Sequence, residues 1–198
     1  MDRETKRQFI HMSGIGVAIY VKWANDLYGF LVPLTTLTLA LTFGYILASS
    51  YKRGIRIPIV SRLIDSTERA EVIREAPGKG ALSFFLGALL TLVIFGFNIN
   101  VVSAGIAILA FGDSVSTLVG KNFGKHKIQY NNMKSWEGTL SGIIFAAVGA
   151  SLILKPEIAI IGAVAGMMIE SLPLDFDDNI SVPIGASAAM SLVLYFQS

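Results

Sequence analysis

The chain alternates long apolar runs with short polar breaks. A helix needs about 20 mostly apolar residues to cross a hydrocarbon core. Runs that reach or approach this length occupy 27–51, 81–98, 99–119, 136–154, 158–172 and 180–196, and a shorter one occupies 9–21. The run 27–51 contains no charged residue, and 99–119 is interrupted only by Asp113. The pattern predicts about seven transmembrane helices, and hence an all-α, polytopic membrane protein.

The polar breaks orient these spans. With the N-terminus in the cytoplasm and seven spans threaded, the inside segments hold fourteen of the sixteen Lys and Arg residues, leaving only Lys22 and Lys155 outside. Cytoplasmic loops carry such an excess of cations. Two breaks are sizeable. In 52–79, Ile59, Leu63, Ile64, Ala70 and Ile73 recur at near-helical spacing among Arg62, Asp65, Glu68, Arg69, Glu71 and Arg74. Pro58 and Pro77-Gly78 bound this stretch. It reads either as a helix lying on the headgroups or as a lid over a site. The break 121–135 is short, basic and rich in Asn and Gly, and reads as a loop.

Composition narrows the class. Only 15% of the residues are charged and 53% are hydrophobic, against about 25% charged in a soluble domain. Mean hydropathy is +0.62. The absence of cysteine excludes disulfides and thiolate metal sites. A net charge of +2 argues against nucleic acid as a partner. The N-terminus, with Asp2, Arg3, Glu4, Lys6 and Arg7, does not read as a signal peptide. Residues 1–196 read as one membrane domain, compatible with a homo-oligomer, and 197–198 as a tag remnant.

Ionisable residues inside apolar runs are costly and point to function. Asp113 shares a helix face with Ser116, Thr117, Gly120 and Gly124; the alternative is an Asp satisfied within the bundle, with Lys121 as its partner. Glu137 follows Ser135, where Ser135 suits a helix N-cap and Glu137 the helix dipole. Gly138 and Gly142, four apart, fit close helix contact. Gly162, Gly166 and Glu170 share the same spacing, which sets Glu170 on a packed face rather than against lipid. Asp175, Asp177 and Asp178 offer oxygen ligands for a divalent cation, or form an acidic turn that caps the last helix. Under this threading the carboxylates Asp113, Glu137, Glu170, Asp177 and Asp178 gather at the cytoplasmic face with Lys79, Lys121, Lys125, Lys127 and Lys134. Carboxylates for a metal and lysines for phosphates fit a Mg2+–nucleotide site, with Gly78, Gly80, Gly112, Gly120 and Gly124 allowing close backbone approach. The Walker A pattern is absent.

The motifs resemble a known family. Gly112-Asp113-Ser114 leads into Gly120-Lys121-Asn122-Phe123-Gly124, followed by Lys134-Ser135-Trp136-Glu137-Gly138-Thr139. Then come Glu170-Ser171-Leu172-Pro173 and Asp177-Asp178-Asn179-Ile180-Ser181-Val182-Pro183. With Lys6-Arg7-Gln8-Phe9-Ile10-His11 at the start, this ordered set resembles the dolichol kinase and phytol kinase family. The C-terminal signature is nearest the phytol branch. Gly-Asp-Ser in place of Gly-Asp-Gly, and Glu137 where that branch has Ala, lean toward the dolichol side.

The resemblance implies transfer of a phosphoryl group from CTP, with Mg2+, to the hydroxyl of a membrane isoprenoid alcohol. It implies Asp113 as a metal ligand or base, with Lys121 and Glu137 in the catalytic set. Lys79, Gly120, Gly124, Lys125, Lys134 and Ser135 would serve nucleotide and phosphate; Glu170, Asp177 and Asp178 would serve the metal. His11 is either a donor near phosphate or structural. A CTP-dependent cytidylyltransferase acting on a lipid phosphate is the nearer alternative. A cation-coupled transporter is more distant, because its polar residues belong near the midplane and here they gather at one face.

Overall fold

A computed structural model describes residues 2–68 and 70–197. Arg69, one of the cations of the first polar break, and Ser198 of the expected tag remnant lie outside the described residues. The described residues form helices α1 (Arg3–Met12), α2 (Ile15–Tyr28), α3 (Leu31–Lys52), α4 (Pro58–Thr67), α5 (Ala70–Glu75), α6 (Lys79–Phe95) and α7 (Ile99–Phe123). A hairpin of β1 (Lys127–Ile128) and β2 (Asn131–Ser135) follows, then α8 (Trp136–Ser151), α9 (Pro156–Ser171) and α10 (Asp178–Gln197). Every apolar run is helical. The shortest, 9–21, is divided between α1 and α2 at Gly14, where the ring of Phe84 leaves no room for a side chain.

Helix α7 is the axis of the molecule. Val101, Val102, Ala104, Ile106, Ala107 and Ile108 are buried against α2, α6, α8, α9 and α10. Glycines set how closely its neighbours approach. A Cβ on Gly138 would lie 2.6 Å from the Ser116 carbonyl oxygen, and one on Gly142 3.0 Å from that of Gly112. On α9, Gly162 and Gly166 make room for Ile108. The four-residue spacings therefore mark packed faces.

Among the described residues α3, α7 and α10 are long and apolar enough to cross a membrane. Leu39, Phe43 and Ile46 on α3, Ile144 and Val148 on α8, and Leu192 on α10 are exposed. Apolar surface of this extent is not left to water, and the protein is a membrane protein. α6, α8 and α9 have 17, 16 and 16 residues; at 1.5 Å per residue they rise about 24–26 Å, somewhat less than the hydrocarbon core.

Two polar breaks differ from expectation. The amphipathic stretch is two helices, α4 and α5, parted near Glu68. That carboxylate accepts a hydrogen bond from Gly78 N at 2.8 Å, at the left-handed residue (φ 80°) that opens α6. The second break is not a simple loop. α7 runs on to Phe123, and the remainder forms the hairpin, which departs from a purely helical chain. Burial of Ile128 holds the hairpin, and so do two bonds to the end of α9: Asn131 Nδ2 to Ser171 O at 3.1 Å and Tyr130 Oη to Ser171 Oγ at 2.9 Å.

Candidate active site

The polar breaks meet at one end of the bundle around a cleft of about 1220 Å3. α1, α4, the start of α6, the last turns of α7, the hairpin and the α9–α10 turn all contribute to its walls. Residues more than a hundred positions apart thus share one site.

At its centre Asp113, Glu170 and Asp178 each turn a carboxylate oxygen to within 4.8 Å of the others. Each arrives by a different route. Asp113 lies on α7 one turn after Leu109, in the stretch fixed by the core. Glu170 is carried inward on the glycine face of α9 and is 1% exposed. Asp178 opens α10, whose start is tied to α6 by Asn179 Nδ2 donating to Ser83 Oγ at 2.8 Å. At Gly87 the α10 backbone comes so close to α6 that a Cβ would lie 1.9 Å from Asn179 O.

Lys134 on β2 neutralises part of this charge. It donates to Glu170 Oε1 and lies 3.4 Å from Asp178 Oδ2. Burial alone would lower its pKa, but Glu170, Asp113 and Asp178 outweigh that and hold it above the ordinary lysine value. Ser116 Oγ donates to Glu170 Oε1 at 2.9 Å. His11 Nε2 approaches Asp113 Oδ2 at 3.4 Å.

The site holds polar atoms that want partners. Gln8 Oε1, His11 Nε2, Thr139 Oγ1 and Glu170 Oε2 are buried without a hydrogen bond among the described residues, and all four residues line the cleft. Buried polar groups are rarely left so, and their concentration here marks a place for ligands. Three converging carboxylates with a free Glu170 oxygen fit a hard divalent cation, which takes oxygen ligands.

The other expected residues divide. Lys79, Lys121, Lys127, Ser135, Gly120 and Asp177 line the cleft. Lys121 pairs with Asp2 rather than Asp113, and through that bond holds the Asp2 carboxyl below its ordinary range. Ser135 caps α8, accepting from Gly138 N at 3.2 Å. Glu137 stands apart from the carboxylate cluster: it accepts from His126 N at 3.1 Å and contacts His126 Nδ1 at 2.6 Å. Lys125 is exposed. Gly124 packs on Ser135, whose Oγ would lie 2.5 Å from a Cβ there. Asp177 Oδ1 accepts from Asn179 N at 3.1 Å and so caps α10. Gln8, Ser116 and Thr139 had no role assigned from sequence. The available signal for Gln8 was its position one turn before His11 on the same helix face.

The fold and this site define a helical membrane protein with a carboxylate–lysine centre at one end of its bundle. The chain is 32% identical over 157 residues to phytol kinase 1 of Arabidopsis thaliana, covering 70% of this chain and 51% of that protein. It is 33% identical to an uncharacterised protein of Methanocaldococcus jannaschii, covering 91% and 89%. To the phytol kinase of Synechocystis it is 26% identical, covering 93% and 77%. The chain belongs to the polyprenol and phytol kinase family. It spans about half the length of the Arabidopsis relative. No protein-family model and no solved structure matches it.

Proposed function

We propose that the protein is a CTP-dependent kinase that phosphorylates the hydroxyl of a membrane isoprenoid alcohol, releasing CDP. The observation that carries this reading is the cluster of Asp113, Glu170 and Asp178 with Lys134, set in a cleft lined by further lysines. The phytol kinases among its relatives support the alcohol as acceptor. We further propose seven spans, α2, α3 and α6–α10, with the N-terminus and cleft at the cytoplasmic face. This threading brings every basic break to the end of the bundle where the cleft lies.

Asp113, Glu170 and Asp178 would hold Mg2+, which would supply positive charge to offset that of the nucleotide phosphates. Asp113 would also accept the hydroxyl proton, with His11 beside it. Lys134 pairs with Glu170 and Asp178 and would offer its charge to the transferred group. Lys79, Lys121 and Lys127 line the cleft and would meet the remaining phosphates, while Gly120 lets α7 pack on Ser135 and Gly138.

The test is incubation of purified protein with labelled CTP, Mg2+ and a panel of isoprenoid alcohols and lipid phosphates. Label on an alcohol, with CDP released, is the expected result. Pyrophosphate release with a lipid phosphate would mark a cytidylyltransferase instead. Asp113→Asn should fold with near-native thermal stability and lose turnover by about a hundredfold or more. Near-native turnover in that variant would remove Asp113 from the mechanism.

A further inference from the structure

The cleft is larger than the roughly 300–1,000 Å3 of a typical small-molecule pocket, and its walls are of two kinds. The polar end holds the carboxylates. A second arm is lined by Ile10, Gly14 and Val17 from α1 and α2, and by Ala81, Phe84 and Phe85 from α6. This arm follows a seam in the bundle. The main partners of α6 are α3, α7 and α10, those of α2 are α3 and α7, and α1 leans on α4 and α7. Between α1–α2 and α6 the contact is made by Phe84, which packs on Gly14 and His11, and beside it the cleft reaches Ile10, Val17, Ala81 and Phe85.

The two ends meet at His11. Its ring stands edge-on to Phe84, centroids 5.4 Å apart, while its Nε2 faces Asp113. Phe84 reaches this position because residue 14 is glycine: a Cβ there would lie 2.5 Å from Phe84 Cζ. Ile10 is 46% exposed, and Val17 and Phe85 are half-buried. Val17 and Phe85 pack against the core and stay partly open beside the cleft they line.

We propose that the seam between the α1–α2 turn and α6 is the subsite for the alcohol's prenyl tail, admitting it sideways from the bilayer so that its hydroxyl stops at His11 and Asp113. This rests on the kinase reading above. An apolar chain has no favourable route through water to a polar centre. A seam that joins the hydrocarbon region to the carboxylates supplies one, and its branched and aromatic walls suit a methyl-branched chain.

Two measurements test it. In nanodiscs, geranylgeraniol carrying a diazirine at the tail end should label peptides containing Val17 or Phe85 on irradiation, and unlabelled geranylgeraniol should compete. Kinetically, Val17→Trp and Phe85→Trp should each lower kcat/KM for geranylgeraniol relative to dimethylallyl alcohol by tenfold or more, without a matching rise in the KM for CTP. Label confined to the outer faces of α3 and α10 and not competed, or an unchanged ratio in folded variants, would overturn the subsite. If the wild-type protein phosphorylates no alcohol, the kinase reading fails; competed label in the seam would still support the subsite.

Discussion

Asp177 and Asp178 are adjacent in sequence and perform different tasks in the structure. Asp177 uses its side chain on Asn179 N, and its carbonyl accepts from Ile180 N and Ser181 N, so it starts α10. Asp178, one position on, turns to Lys134. On the proposed Mg2+ reading, Asp178→Asn should raise the Mg2+ concentration for half-maximal activity by about tenfold, the scale of weakening a metal ligand set. Asp177→Ala should leave that requirement unchanged and cost about 1 kcal/mol of stability, as lost caps do. Metal titration beside thermal melts separates the two, and equal effects on metal would reject the division. Lys134 gives a pH prediction. Its pKa is raised, so its stabilising effect is complete below the ordinary value of about 10.4 and is lost only as pH rises through the raised one. No Lys134-dependent change in melting should appear in the neutral range. Lys134→Met should destabilise by about 3–5 kcal/mol, the cost of leaving a buried charge without its partner, and less so in acid, where the carboxylates are protonated. Asp113 and Glu170 were legible because a carboxylate in an apolar run needs a reason. The cation that Glu170 shares with Asp178 was not: Lys121 is close to Asp113 in sequence, yet it is Lys134 that arrives, by way of the hairpin.

The long helices of this bundle follow the apolar runs, and glycines four apart mark the packed faces of α8 and α9. What the runs could not announce was the content of the breaks. The hairpin has strands of two and five residues, too short for a period-two pattern to stand out, and it depends on distant partners such as Ser171. The break near Glu68 follows from the same cause, since that carboxylate is fixed by backbone on α6. Gly87 is a comparable case, unremarkable in sequence but decisive between α6 and α10. Gly87→Ala would place a Cβ against the Asn179 carbonyl, which is backbone and cannot swing aside. The expected loss is about 1–3 kcal/mol, the usual range for overpacking. Because Asn179 adjoins Asp178, the proposed kinase activity should fall with it. A variant with unchanged melting and activity would show that α10 is free to shift on α6. Gly16, with nothing within 4 Å of an added Cβ, is the control, and Gly16→Ala should be neutral.

At the scale of the molecule, the motifs that resemble the kinase family lie in four separate stretches of chain, and folding brings all four to one cleft. The placement of charge gives that convergence a direction. The segments 3–7, 52–79 and 121–134 hold fourteen of the sixteen Lys and Arg residues, with Arg7, Lys79, Lys121, Lys127 and Lys134 lining the cleft, while Lys155, before α9, lies at a turn of the opposite kind in the threading. The inward orientation can be tested because the chain contains no cysteine. Buried positions such as Ser61 and Asn131, both 9% exposed, would label poorly from either side. Arg62, Asn132 and Lys155 are exposed and are the better choices for single cysteines. In sealed cells a membrane-impermeant maleimide should modify Lys155→Cys alone, and after permeabilisation all three should react. Each variant should retain its fold, since none of these side chains contributes to the core. Labelling of Arg62→Cys and Asn132→Cys from outside, with Lys155→Cys protected, would invert the molecule and turn the cleft away from cytosolic nucleotide. Labelling of Arg62→Cys and Asn132→Cys from different sides would break the seven-span threading itself, because α6 and α7 together must return the chain to the face it left.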